Sequence, residues 1–180
     1  GPAYGGSCFP KDTKALASTG KEFKVDLTLV KSVIGSNDNR SSLITSQILK
    51  ILKKPKNKKV TFLGVTFKAN TDDMRDSSCL KIIPSLIKKG CIISYFEPTG
   101  QKKILDRYKS VKHIDKIEEA IQFSDLVIIH TEWDEFKSLD FEKIRNKKNL
   151  LIYDLRNLYD PDYFSNKNIK YHSIGRPFNV

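Results

Sequence analysis

"KVTFLGV", residues 59–65, decides the fold. It is a short, nearly continuous apolar run, the pattern of a strand buried on both faces rather than on one. On its amino side lies "KKPKNKK" (53–59), a lysine-rich stretch with proline that reads as a linker. On its carboxyl side the period changes to that of a helix in "SCLKIIPSLIKKG" (78–90), which Gly90 ends. A second apolar run follows, "CIISYFEP" (91–98). Then come a helix in "IDKIEEAIQFS" (114–124), a third strand in "DLVIIHTEW" (125–133), a helix in "DFEKIRNK" (140–147) and a strand in "NLLIYDLR" (149–156). Weaker strands are expected at 110–113 and 169–173. Strands alternating with helices predict an α/β fold with a doubly wound, mostly parallel sheet over 58–180.

Residues 1–57 read differently. Pro10 starts a short helix over Lys11–Ser18 and Gly20 closes it. From about Lys24 to Lys53 apolar residues recur at helical spacing: Leu27, Val30, Val33, Ile34, then Leu43, Ile44, Ile48, Leu49 and Leu52. "GSNDNR" (35–40) interrupts them with poor helix formers, so either one helix runs through or two meet there. Little else in the first fifty residues covers that stripe, and a homodimer contact through the 24–53 helix is the expectation.

Charge is the conspicuous bulk property. Lys+Arg of 32 against Asp+Glu of 21 gives +11, with a pI near 9.5. Only six of those cations are arginine, the residue whose fork reads bases and phosphates, and the lysines are scattered. No nucleic-acid partner is expected; the field suits a small anionic substrate equally well. No apolar run reaches 18 residues, so no membrane span is expected. Cys8, Cys79 and Cys91 form an odd set without CxxC spacing, and no leader opens the chain. Reduced thiols in the cytoplasm are expected, and with His113, His130 and His172 lacking ligand spacing, no metal.

Two stretches carry chemistry. In "GVTFKANTDDMRDSS" (64–78) there is no G-x-G-x-x-G loop, so an ordinary dinucleotide site is not expected here. Lys68 and Arg75, beside a helix that Ser77 or Ser78 caps, make an anion site; alternatively Arg75 pairs with Asp72, Asp73 or Asp76 and stiffens the loop. In "GPAYGGSCFPKD" (1–12), Gly5-Gly6 permits close approach or a positive φ. Cys8 stands at the start of a helix, with Lys11 following, where a reactive anionic sulfur needs positive charge. Asp12, one turn along, is placed to orient a water or exchange a proton. A lone cysteine in a glycine turn is by default a packing residue; this company argues for function. Cys79 and Cys91 fall on apolar faces and read as packing.

"GGSCFPKDTKAL" (5–16), "FKANTDDMRDSS" (67–78), "YFEPTG" (95–100) and "TEWDEF" (131–136) resemble the UDP-glucose/GDP-mannose dehydrogenase family along nearly the whole chain. "GGSCFPKD" and "TEWDEF" resemble its UDP-glucose-oxidising branch, and the GDP-mannose branch shares the cysteine motif. The resemblance implies that residues 1–57 end a central dimerising helical region and 58–180 form a Rossmann-like UDP-sugar domain. It implies oxidation of UDP-glucose to UDP-glucuronate in two steps, with Cys8 passing through a thiohemiacetal and a thioester and Asp12 assisting the water. Gly5, Phe67, Lys68 and Arg156 would bind substrate; Lys11 and Arg75 would contact NAD, which revises the anion reading of Arg75. The family's NAD domain and catalytic lysine have no counterpart in these residues. The chain by itself is therefore expected to be inactive, either as part of a longer enzyme or as a UDP-sugar-binding or dimerisation module.

Overall fold

The computed structural model describes residues 1–146 and 149–177. Two helices come first, α1 (Cys8–Glu22) and α2 (Thr28–Leu52). Then follow β1 (Lys59–Leu63), α3 (Cys79–Lys88), β2 (Ile92–Phe96), β3 (Val111–His113), α4 (Ile117–Gln122), β4 (Leu126–Ile129), α5 (Phe141–Ile144), β5 (Leu150–Asp154) and β6 (Ile169–Ser173). The six strands form one sheet in the order β3-β2-β1-β4-β5-β6, and each of its five pairings is parallel. That is a doubly wound order, with the chain reversing direction across the sheet between β1 and β4.

The near-continuous apolar runs are explained by two cores. Alternate strand residues point to opposite faces, and both faces are covered. Val60, Phe62, Ile93, Tyr95, Leu126 and Ile128 join one cluster beneath α2 and α3. Val127, Ile129, Leu150 and Ile152 join the other, with Phe136, Phe141, Tyr159 and Phe164. The one hydroxyl on the central strand, Thr61, is satisfied by the Ala120 carbonyl at 2.9 Å.

The differences from the sequence reading have physical causes. α1 runs through Gly20 to Glu22. A Cβ at Gly20 would lie 2.6 Å from Leu27 Cδ1, so this glycine admits the returning turn rather than ending the helix. α2 is one helix through "GSNDNR". Its carboxyl half finds a partner in its own chain, because Ile44, Ile48 and Leu52 are buried with α3 and the sheet. The amino half keeps apolar residues in solvent, with Leu29 83% and Phe23, just before it, 71% exposed. β4 stops at Ile129, short of the expected Trp133, as the backbone turns at the buried pair His130–Thr131. α5 is a single turn ending at Ile144, and the expected end at 147 lies outside the described residues.

Candidate functional site

The carboxyl ends of β1, β4 and β5 open onto a cleft of about 640 Å³. Its walls come from three parts of the chain: Gly1, Ala3, Tyr4 and Gly5; Val33, Ser36, Asn37 and Arg40 of α2; and Phe67 with Arg156. The polar stretch inside α2 thus faces the cleft, which is why the apolar stripe breaks there. Asn37 holds the first segment through both ends of its amide, accepting from Tyr4 N at 2.9 Å and donating to Tyr4 O at 3.2 Å.

Gly5 and Gly6 dock that segment onto the loop after β1. A Cβ on Gly5 would meet the Asp76 carbonyl at 2.6 Å. Gly6 has φ +85°, and a Cβ there would strike the Phe67 ring at 2.7 Å. Gly6 N donates to the Arg75 carbonyl at 2.8 Å, which fixes the register. The glycine pair is therefore a packing surface for Phe67, two residues from the cysteine. Cys8 itself is exposed as the first residue of α1, with Sγ 3.6 Å from Ser7 Oγ.

Lys11 and Asp12 pair with each other at 3.1 Å in solvent. The Lys11 ammonium is held above its usual range by that hydrogen bond first, with a small contribution from Cys8. Arg75 is clamped on Asp73: Nε lies 3.0 Å from both carboxylate oxygens and Nη2 2.8 Å from one, while the Arg75 backbone N also donates to Asp73. That grip holds the Asp73 carboxyl below its ordinary value. Of the two readings of Arg75, loop stiffening is thus the one the geometry displays. Lys68 is exposed, its ammonium 5.7 Å from the Phe67 ring centroid.

The expected helix cap is not formed. Ser77 Oγ donates to the Val65 carbonyl, and Ser78 Oγ meets His130 Nε2 at 2.8 Å; neither side chain caps α3. His130 is fully buried at the end of β4. The hydroxyl of Thr131 is given to the Thr66 carbonyl, so Thr131 Oγ1 accepts from His130 Nδ1–H, and bare Nε2 accepts from Ser78. Burial pushes the imidazole down to about 3, with Arg156 adding to the effect, so the ring is neutral.

Arg156 ties the same loops together. Its Nε lies 2.8 Å from the His130 carbonyl and 2.6 Å from Glu132, and its Nη2 donates to the Phe67 carbonyl at 2.8 Å. Buried Asp154 sets the turn beneath it, accepting from the backbone N of Arg156 and Leu158 and from the Tyr171 hydroxyl. Asn37, Arg40, Glu97 and Asp154 are not among the site residues expected from the sequence, and His130 was considered there only as a metal ligand. Asn37, Arg40, Glu97 and His130 act on residues more than thirty positions away, whereas Asp154 works within its own turn and on Tyr171; the polar break in α2 was the one local signal.

A dinucleotide does not fit the crevice after β1. The amides that would approach a pyrophosphate are already occupied, since Glu97 Oε2 accepts from Val65 N at 2.7 Å and Thr66 N at 3.2 Å. Glu97 is 2% exposed, and Gly64 (φ +74°) lies where a Cβ would meet Thr131 at 2.4 Å. Lys11 and Arg75 stand outside this crevice. Among the described residues no three metal-ligating side chains converge, and no helix is long and apolar enough to cross a membrane.

A second cavity, about 610 Å³, opens at the opposite end of the strands among Lys50, Lys53, Lys58 and Lys170. None of the residues singled out by motif lies there.

The profile of the UDP-glucose/GDP-mannose dehydrogenase family UDP-binding domain matches residues 61–161, and that of the family's central domain matches 1–39. The chain is 36% identical over 179 residues to a UDP-glucose 6-dehydrogenase of Rhizobium meliloti, covering 98% of this chain and 41% of that one. It is 38% identical over 180 residues to that of Rickettsia prowazekii, covering 97% and 41%. A UDP-glucose dehydrogenase structure from Pyrobaculum islandicum superposes with a TM-score of 0.80 at 25% identity, covering 96% of this chain and 38% of that one. An NDP-N-acetyl-D-galactosaminuronic acid dehydrogenase from Methanosarcina mazei gives 0.81 at 26%, covering 98% and 39%. The chain thus spans about 41% of the length of the curated relatives it matches. With the profile covering more than half its residues and the doubly wound sheet in place, the chain belongs to the UDP-glucose/GDP-mannose dehydrogenase family.

Proposed function

We propose that this chain is the UDP-sugar-binding, cysteine-bearing portion of an NAD-dependent UDP-glucose 6-dehydrogenase of the cytoplasm. One observation carries the reading: the motif residues Gly5, Phe67 and Arg156, from three distant stretches, line one cleft at the carboxyl ends of the strands. Such clefts are where open α/β sheets bind ligands. On this reading residues 1–57 close a central region that dimerises through the exposed amino half of α2, and 58–180 hold the nucleotide sugar.

Cys8 supplies the nucleophile. Its sulfur adds to the C6 aldehyde carbon, the S–C bond forms, and the carbonyl pair becomes an oxyanion that takes up a proton, giving a thiohemiacetal. On this reading Asp12, once free of Lys11, accepts a proton from the water that later cleaves the thioester. Lys68 reaches the substrate over Phe67. Removing the two hydrides belongs to the NAD-binding portion of the longer enzyme, towards which Lys11 and Arg75 would face, since the crevice of this chain is held by Glu97.

The test is calorimetric titration of this chain with UDP and UDP-glucuronate, with NADH followed in parallel in the presence of UDP-glucose and NAD. Saturable binding without turnover is expected. A folded chain that takes up neither ligand removes the reading, and steady NADH formation removes its division of labour. The binding-module alternative is favoured by the Glu97-occupied crevice. It predicts the same titration but no loss of Cys8 reactivity towards iodoacetamide when UDP-glucuronate is bound.

A further inference from the structure

Two arginines reach the cleft, and their donors are spent differently. Arg156 gives Nε to the His130 carbonyl and Nη2 to the Phe67 carbonyl, and Glu132 Oε2 stands 2.6 Å from Nε as its ion-pair partner. Its charge is answered by Glu132, and its remaining nitrogen, Nη1, lies 3.5 Å from where a Gly1 Cβ would stand. Arg40 comes from the middle of α2 and is half-buried. It gives Nε to the Gly1 carbonyl at 3.2 Å, and no carboxylate among the described residues pairs with it. A half-buried guanidinium at a cleft wall with no acid beside it keeps a planar pair of donors and a full charge to offer a ligand. The fork matches phosphate oxygens bidentately, and such charge-assisted bonds are the strong ones.

We infer that Arg40 is a binding residue for the diphosphate of the nucleotide, and that Arg156 is the positioning residue that holds the Phe67 and His130 loops beside it. The inference rests on the nucleotide-sugar reading of the cleft. Two further observations fit. The "GSNDNR" break in the apolar stripe of α2 places Asn37 and Arg40 on one face, three residues apart, with Asn37 holding Tyr4 and Arg40 holding Gly1. Gly1 lies between the two cations: its carbonyl accepts from Arg40 Nε at 3.2 Å, and a Cβ on it would stand 3.5 Å from Arg156 Nη1, so both guanidinium groups converge at the head of the cleft. α2 is thereby a wall of the binding site as well as a core and interface helix.

Calorimetry with UDP and with uridine on the wild-type chain, Arg40→Gln and Arg40→Lys tests this, with circular dichroism confirming that each is folded. Arg40→Gln is expected to weaken UDP about tenfold or more, the worth of a charge-assisted hydrogen bond. Uridine binding should stay within about twofold, since it carries no phosphate for the fork. Arg40→Lys keeps the charge without the fork and falls between. Unchanged UDP affinity in Arg40→Gln overturns the inference, as does an equal loss for UDP and uridine, which would mark Arg40 as a scaffold. Failure of the wild-type chain to bind UDP is a different result and overturns the reading of the cleft itself.

Discussion

His130 shows how much a single buried side chain carries here. It is neutral, its Nδ1 proton is directed to Thr131 and its Nε2 accepts from Ser78, so protonation would break a bond in a site that excludes water. Its folded pKa, about 3, is below the unfolded value of 6.5. The stability this confers is complete above pH 6.5 and falls as the pH drops towards 3, because the unfolded chain takes up the proton first. Between pH 7 and 5 the loss is about 2 kcal/mol at 1.4 kcal/mol per unit. His172, also lowered by burial, acts in the same direction. Unfolding free energies from urea titrations at the two pH values should therefore differ in the wild-type chain by about this amount, and by clearly less in His130→Gln. An equal pH dependence in both would show that His130 is not the group responsible. Cys8 stands out in the sequence as a candidate because its motif with Gly5-Gly6 is local. His130, Glu97 and Arg40 do not, since their partners lie 31 to 52 residues away.

At the scale of elements, α2 belongs to two structures at once. Its carboxyl half is core, with Ile44 and Ile48 fully buried, and its middle is cleft wall. Ile48→Ala should cost about 2–5 kcal/mol in chemical denaturation, the loss for a buried large aliphatic residue. A cost under about 1 kcal/mol would detach the helix from the sheet. Gly6→Ala puts a methyl where the Phe67 ring stands, on a backbone of positive φ. The sheet should stay folded by circular dichroism while UDP affinity falls, because the first segment can no longer seat on the loop after β1. Undiminished affinity would contradict the docking. Strand positions were readable from apolar runs, since both faces of the sheet are covered. The expected helix end at Gly20 failed because a glycine admitting close approach and one ending a helix look alike in sequence. The apolar stripe of α2 was read as wanting a second chain. Half of that demand is met by β1 and α3, elements that begin more than thirty residues after α2 starts.

For the whole molecule, the doubly wound order places the cleft lined by Gly5, Arg40, Phe67 and Arg156 at one end of the sheet and the lysine-rich cavity at the other. The fold class followed from strand and helix alternation. The location of the binding face followed from the loops after β1, β4 and β5, which no single stretch discloses. A strongly basic chain with +11 net charge could take an anionic ligand at either end. Mapping amide chemical-shift changes on titration with UDP separates the two most directly. Changes are expected at residues 3–6, 36–40, 65–68 and 154–157, saturating together. Changes clustered at Lys50–Lys58 and Lys170, with the cleft silent, would contradict binding in the cleft.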